Sequence, residues 1–577
     1  MSEQEELPVE RYYDYTIVST PKVSPEGKQV AFLGVEFDEN EDERRTSLFV
    51  APANGAKEPY RLSRASDASN PKWSPDGSRL AFIAARDEDT EISVDSDDDS
   101  EEDEEDGGPV GEGPNPQVWM FDLQRGGDAR QITDRDYGVS DFDWGPNSDR
   151  MVISARDPDE DDEEYLEQLD EDGPIEIERL QHKADGTGWL DEVPTYLFIV
   201  DIDDRTTVRL DEAYDAEKGA RRPLQPAWSP NGDRIAFIAQ HETDPDATHV
   251  TNIYTIRPDG TGYRQVTNAD LRISTPRWSP DGSKIAVAGG DPYNWYKPSE
   301  AYILDVESGD FTSISGTLDR TVGFGGAPYW LDDDTLIGLF GDEGNTRLVR
   351  LSAHEDAPER VFAGQGAGRS LSFLDVSEEG QTLTFRVNDP QEGMDVHTLP
   401  REALDHANDE KLKRVSAVND ELIDEAHAPR RERISWENSD GIEIEGFAYL
   451  PPEFDPEDPD PSPVISSVHG GPMSYDDPEF KFDYLYWTNK GYIVLRTNYR
   501  GSTSYGREFS ERLRGTRGDL EVDDVVSGVE SLIKRGWGDE DRCYVTGFSY
   551  GGITTAAVVT KSDVFAAAAA EHGIYDF

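Results

Sequence analysis

Cys543-Tyr544-Val545-Thr546-Gly547-Phe548-Ser549-Tyr550-Gly551-Gly552 is the stretch from which the rest of this chain is read. A short β-prone run ends at Gly547, a tight turn centres on Ser549, and a helix-compatible segment follows from Ile553 to Thr560. A serine at such a strand-turn-helix corner sits in a strained backbone that projects its Oγ away from the sheet. Small residues two before and two after it let strand and helix approach, and Gly547 and Gly551 meet that need. Ser549 is therefore the candidate nucleophile.

Working upstream, two more short apolar strands each run into a glycine-bearing loop. Pro463 to Val468 leads into His469-Gly470-Gly471-Pro472, and Gly491 to Leu495 leads into Asn498-Tyr499-Arg500-Gly501-Ser502. The first is able to aim backbone N–H groups at a developing oxyanion. Between the second loop and the elbow, Asp519 to Arg535 places Val522, Val525, Val526, Val529, Leu532 and Ile533 on one helical face. Asp523 and Asp524 are expected to face solvent or cap this helix. Val564 to Ala570 is the next parallel strand, and the alternation of strand and helix argues for an α/β sheet. Ile434 to Glu437 and Ile442 to Leu450, joined at Asp440-Gly441, open it as an antiparallel pair.

The amino-terminal part is a different architecture. Pro71-Lys72-Trp73-Ser74-Pro75-Asp76-Gly77, Pro226-Ala227-Trp228-Ser229-Pro230-Asn231-Gly232 and Pro276-Arg277-Trp278-Ser279-Pro280-Asp281-Gly282 are copies of one unit. Each is a turn followed by an alternating apolar strand. Weaker copies begin at Pro21, Phe142, Pro328 and Leu371, giving about seven units with a period near fifty residues. Four strands per unit at that period are the signature of a β-propeller, whose closed ring leaves few exposed strand edges. Trp73, Trp144, Trp228 and Trp278 should then occupy equivalent positions in successive blades. A lead-in segment, Glu6 to Ser19, precedes the first unit.

The domain reading is a propeller over 1–425 and an α/β-hydrolase domain over 426–577. Two insertions, near 87–115 and 157–191, lengthen the propeller. Both are acidic and read as solvated loops, with a short acidic helix at Glu163 to Leu169.

Composition narrows the partners. There are 122 acidic against 55 basic residues, a formal net charge of −67. That field repels polyanions, so neither nucleic acid nor an anionic membrane surface is an expected partner. With 11 Trp, 24 Tyr and 22 Phe the chain is too aromatic to be mostly unfolded. A folded protein with so acidic a surface resembles, in composition, the proteins of extreme halophiles, where molar salt screens self-repulsion. The single cysteine, Cys543, excludes an internal disulfide. The amino terminus has no apolar leader pattern, so a cytoplasmic protein is expected. Nothing in the sequence fixes the oligomeric state, and a homo-oligomer is compatible with it.

Taken together, the elbow at Ser549, His469-Gly470-Gly471-Pro472, Asn498-Tyr499-Arg500-Gly501-Ser502 and the propeller repeats resemble the prolyl oligopeptidase family. The resemblance is strongest to its acylaminoacyl-peptidase and dipeptidyl-peptidase branches, and His469 at the loop start tilts it toward the first. It implies a serine peptidase that hydrolyses short peptides through an acyl-enzyme, with no metal and no organic cofactor. The implied oxyanion donors are the backbone N–H groups of Gly471 and Tyr550. His469, preceding the serine, is a loop-fixing residue.

The family's catalytic aspartate and histidine are expected beyond Phe577, so the hydrolase domain is expected to be incomplete and this chain inactive as it stands. His572, the one histidine after Ser549, falls where the family places pocket-lining residues. The competing readings are a propeller-based binding protein with an inactive hydrolase remnant, and a carboxylesterase sharing Ser549 and the glycine loop.

Overall fold

The computed structural model describes residues 7–64, 68–86, 114–170, 173–175, 177, 180, 182–184, 188–191, 193–215, 223–241, 248–323, 326–362, 368–406 and 410–575. Most of the insertion expected near 87–115 lies outside them.

Seven antiparallel sheets of four or five strands follow one another along the chain, each a meander, and form the blades of a propeller. The first strand of the second to fifth blades, and the second strand of the sixth, ends on a tryptophan. The residues are Trp73, Trp144, Trp228 and Trp278, with Trp330 as a further copy. The indole N–H of four of them donates to a carbonyl of the preceding blade: Trp73 to Lys22 at 2.9 Å, Trp144 to Lys72 at 3.1 Å, Trp278 to Ala227 at 2.9 Å and Trp330 to Arg277 at 3.0 Å. Trp228 departs from the pattern and donates to Gly232 of its own turn, while its backbone N–H is held by Asp143 of the third blade.

The turns that follow Trp73, Trp228 and Trp278 are built alike, each with a serine Oγ that accepts from a backbone N–H five residues on. In the second blade, Ser74 Oγ accepts from the Arg79 N–H and Gly77 sits at φ 69°. A bulge recurs in three of the first strands, with Thr20, Asn70 and Thr275 at φ near 50° immediately before a proline, and Gln225 has the same φ just ahead of its strand. The bulge shifts the register so that the strand can turn toward the ring axis.

Both end blades are made of contiguous chain, so the ring closes through side chains. Asp375 of the seventh blade accepts from the Val23 N–H at 2.9 Å and pairs with Lys22 at 3.1 Å. Val18, Val23, Phe32, Met394 and Val396 form an apolar cluster across the same seam.

In the second insertion a helix spans Glu160–Asp170, longer than the sequence suggested. Asp159 Oδ1 accepts from the N–H groups of Asp161 and Asp162, and Glu160 to Glu163 place four carboxylates at the positive end of the helix. A two-stranded pair, Lys183–Ala184 with Gly188–Trp189, follows it.

The carboxy-terminal domain is one six-stranded sheet. Its elements are β1 (Arg430–Glu437), β2 (Glu443–Leu450), β3 (Ser462–Val468), α1 (Phe482–Asn489), β4 (Ile493–Asn498), α2 (Leu520–Lys534), β5 (Gly538–Phe548), α3 (Tyr550–Lys561) and β6 (Ala567–Glu571). The order is β1-β2-β4-β3-β5-β6, antiparallel up to β4 and parallel beyond it. Val464, Leu495, Cys543, Val529 and Leu532 make the core between sheet and α2. On the face of α1 the sheet is only partly covered, leaving a groove of 910 Å³ over β3, β5 and β6. Among the described residues β6 pairs with β5 alone, and all five of its residues are exposed.

The lead-in segment does not pack on its sequence neighbours alone. Leu7 and Tyr15 lie in one apolar cluster with Leu422, Phe480, Phe482 and Leu485, so the amino terminus ties the propeller to the hydrolase domain. A second seam joins Glu343 and Gly344 of the sixth blade to Ser504 through two hydrogen bonds of 2.7 and 3.0 Å.

Candidate active site

Ser549 caps α3 at φ 57°, ψ −120°, a conformation that costs an L-residue strain and that the surrounding contacts must enforce. Its N–H donates to the Glu571 carbonyl at 2.9 Å and its carbonyl accepts from Ile553 at 3.1 Å. Three glycines make the corner possible. A Cβ on Gly547 would come within 2.4 Å of the Gly551 carbonyl oxygen, one on Gly551 within 2.1 Å of the Val468 oxygen, and one on Gly552 within 2.4 Å of the Glu571 oxygen. The sequence pattern points to the first two. The third is needed because β6 crosses directly behind the elbow.

The His469 loop lies over the serine. A Cβ on Gly470 would stand 3.4 Å from Ser549 Cβ and 3.8 Å from the Tyr550 nitrogen. Gly471 follows at φ 117°, a backbone open only to glycine. His469 is buried and stacked on Tyr499 at 4.2 Å, and the Tyr499 hydroxyl donates to the His469 carbonyl at 2.9 Å. Nδ1 donates to the Gly470 carbonyl at 2.8 Å, and Nε2 lies 3.0 Å from Ser502 Oγ, whose hydroxyl also reaches the Tyr499 carbonyl at 2.8 Å. Burial lowers its pKa, so the ring is neutral and serves to hold the loop.

Tyr550 is buried and its hydroxyl donates to Glu521 at 2.7 Å. His572 stands at φ 50° with its ring 5.0 Å from that of Phe548, on the exposed rim beside the elbow. No hydrogen bond links it to Ser549, and among the described residues no histidine is hydrogen-bonded to Ser549 Oγ. Nor is any group of three His, Cys, Asp or Glu side chains among them placed to hold a metal ion.

Asp524 corrects an expectation. Instead of facing solvent it is fully buried, and its carboxylate binds the Arg500 N–H at 2.7 Å, the Arg500 guanidinium at 2.8 Å and the Asn438 amide at 2.8 Å. Arg500 also pairs with Asp440 at 2.6 Å and Asp523 at 3.2 Å, so it fixes the loop that supports His469. The helical pattern missed this because Asp524 lies next to the apolar stripe and its partner is on another loop.

Sequence reasoning also missed the propeller's share. The fifth-blade loop between Lys284–Gly290 and Glu300–Asp305 reaches the hydrolase domain. There Tyr296 OH accepts from Arg517 Nε at 3.1 Å, and Asn294 donates to Glu511 at 2.7 Å. Between this loop and α3 lies a cavity of 1210 Å³ lined by Tyr293, Trp295, Met473, Ile553 and Tyr575 among others. Ile553 is one helical turn from Ser549, which places the cavity beside the serine.

Among the described residues no helix is long and apolar enough to cross a membrane.

Residues 478–577 match the prolyl oligopeptidase family. Over 575 residues the chain is 26% identical to the uncharacterized peptidase YuxL of Bacillus subtilis strain 168, covering 96% of this chain and 80% of that one. It is 23% identical to dipeptidyl-peptidase 5 of Porphyromonas gingivalis, over 61% of this chain and half of that protein. The fold is similar to that of Pyrococcus horikoshii acylaminoacyl peptidase, with a TM-score of 0.73 at 20% identity, covering 98% of this chain and 78% of that one. The glycine-lined serine corner, the loop laid over it and the propeller ahead of them agree with these matches, and it is residues 478–577, the stretch that holds the corner, that resemble the prolyl oligopeptidase family.

Proposed function

We propose that Ser549 is the nucleophile of a peptide-bond hydrolysis that passes through an acyl-enzyme. The observation that carries this reading is the strained turn at Ser549, held by three glycines that leave no room for a side chain. Its hydroxyl would attack the scissile carbonyl, and the backbone N–H groups of Tyr550 and Gly471 would take up the charge on the oxyanion. The step needs a base at Ser549 Oγ. His572 is assigned to the rim of the site rather than to that role, because its ring packs on Phe548.

The propeller, taken as residues 1–425, is read as the part that limits access to short peptides, with the hydrolase domain as 426–577. An acidic surface and one buried cysteine suit a salt-rich, reducing cytoplasm.

The test is labelling with a fluorophosphonate in molar KCl. With no base at Ser549 Oγ among the described residues, labelling of this chain is expected to be slow, and what label forms should disappear in Ser549→Ala and survive in His572→Ala. Loss of label in His572→Ala, with the fold intact, would make that residue the base. No label on Ser549 even after prolonged exposure to reagent would remove the nucleophile assignment and favour the propeller-based binding protein.

A further inference from the structure

The cavity beside Ser549 is chemically unlike the rest of the molecule. Asp and Glu make up 122 of 577 residues, yet among the described residues no carboxylate lines this cavity, and the fully charged side chains there are Arg514 and Arg517. The remainder of its wall is largely apolar or aromatic, including four of the exposed large hydrophobic residues among those described. These are Tyr293 at 60%, Trp295 at 47%, Ile574 at 63% and Tyr575 at 57%. Exposed apolar side chains gathered around one concavity mark a binding surface.

The two arginines differ. Arg517 is held in place by the hydroxyl of Tyr296 and lies against the Tyr550 ring at 5.9 Å. Arg514 is exposed, and its guanidinium makes no hydrogen bond or ion pair with a described residue. The acids nearest to it are already engaged. Glu511 binds Arg507 at 3.0 Å and Asn294 at 2.7 Å, while Asp291 binds Lys297 and the N–H groups of Tyr293 and Asn294. In so acidic a chain, a guanidinium at the edge of an aromatic cavity that faces Asp291 and Glu511 without pairing with either has its donors available for a ligand.

We propose that this cavity recognises a peptide segment in which an aromatic or large apolar side chain stands next to a carboxylate. The ring packs on Tyr293, Trp295 and Tyr575, and Arg514 binds the carboxylate. A cationic side chain at the same place meets Arg514 and Arg517, while the acids beside them, Asp291, Glu511 and Glu521, are engaged with Lys297, Arg507 and Tyr550, so the cavity selects against it. The inference rests on the peptidase reading only in taking the ligand to be a peptide.

The test is calorimetric titration of the full chain, carrying Ser549→Ala so that nothing is turned over. The ligands are three blocked dipeptides: N-acetyl-Phe-Asp-amide, N-acetyl-Phe-Asn-amide and N-acetyl-Phe-Lys-amide. Molar KCl screens the long-range repulsion of the acidic surface, leaving contact recognition. The Asp peptide is expected to bind about tenfold more tightly than the Asn peptide, the order of a charge-assisted hydrogen bond, with the Lys peptide weakest. Arg514→Gln should bring the Asp peptide to the level of the Asn peptide, and Arg514→Lys should restore part of the difference. Trp295→Ala should weaken the Asp and Asn peptides alike. Equal affinities, no binding of any of the three, or an Asp preference that survives Arg514→Gln would overturn the proposal. Labelling of Ser549 is read separately on the wild-type chain, so selective binding without labelling would fault the peptidase reading alone, and labelling without selectivity would fault this one alone.

Discussion

Gly551 stands so close to Val468 that a Cβ on the glycine would lie 2.1 Å from the carbonyl oxygen of the valine. Helix α3 therefore starts directly against the end of β3, and this contact sets where the Ser549 hydroxyl points. Gly551→Ala must push helix and strand apart, at a cost of about 3 kcal/mol or more, since backbone rather than a flexible side chain has to move. A shift near 1 Å at the nucleophile costs on the order of 100-fold in reactivity. Fluorophosphonate labelling should fall accordingly. Gly491→Ala meets no atom within 4 Å but sits at φ 82°, so it should cost stability through backbone strain while leaving the labelling of the folded protein nearly unchanged. Equal labelling of both variants would show that the close contact is not what positions the serine.

Arg500 and Asp524 form a second constraint. Removing the guanidinium leaves a fully buried carboxylate without its counter-charge, so Arg500→Met should destabilise the chain by about 3–5 kcal/mol. Adding Asp524→Asn removes the stranded charge and should recover part of that loss. Denaturant titration in molar KCl measures both. A double variant no more stable than the single one would mean that the cost lies in packing rather than in charge.

At the seam between the domains, Asp477 accepts from Thr346 Oγ1 at 3.0 Å and Ser370 Oγ at 2.5 Å, both on propeller blades. Burial, followed by the nearby Glu479 and Asp476, pushes its pKa up to about 7. The charged groups facing it are those two carboxylates and Arg386. Unfolded, it titrates near about 4. The folded state thus holds this proton more tightly, and the stability it contributes is present below about pH 4 and lost as pH rises through about 7. Asp477→Asn should flatten the fall in melting temperature between pH 5 and pH 8. An identical pH slope in both proteins would show that the carboxyl is not protonated in the folded state.

A net charge of −67 makes the folded chain repel itself wherever salt does not screen it. At molar ionic strength the screening length is about 3 Å, against about 10 Å at 0.1 M. Melting temperature should therefore climb steeply from dilute buffer into molar KCl, by on the order of 10 °C or more. Melting that is the same at both ends of that range would remove the link between this acidity and salt.

The propeller and the serine corner were legible in the sequence because each is written locally. Ser-Pro-Asp-Gly turns recur with the strand they introduce, and Gly547 and Gly551 flank Ser549 within five residues. What each element meets across the chain was not legible. Asp524 looked like a helix-surface acid until Arg500, on another loop, was seen against it, and the lead-in tyrosines turned out to pack on Phe480 and Phe482 near the other end of the chain.

The sequence by itself determined the order of elements, the candidate nucleophile and the sign of the surface charge, all properties of neighbouring residues or of sums over the chain. Only the tertiary structure decided that Tyr296 of the propeller holds Arg517 of the hydrolase domain, and that Trp295 and Arg514 border one cavity beside Ser549. These depend on how two separately patterned domains dock. Periodicity records which face of an element is buried, and carries no information about which distant surface covers it.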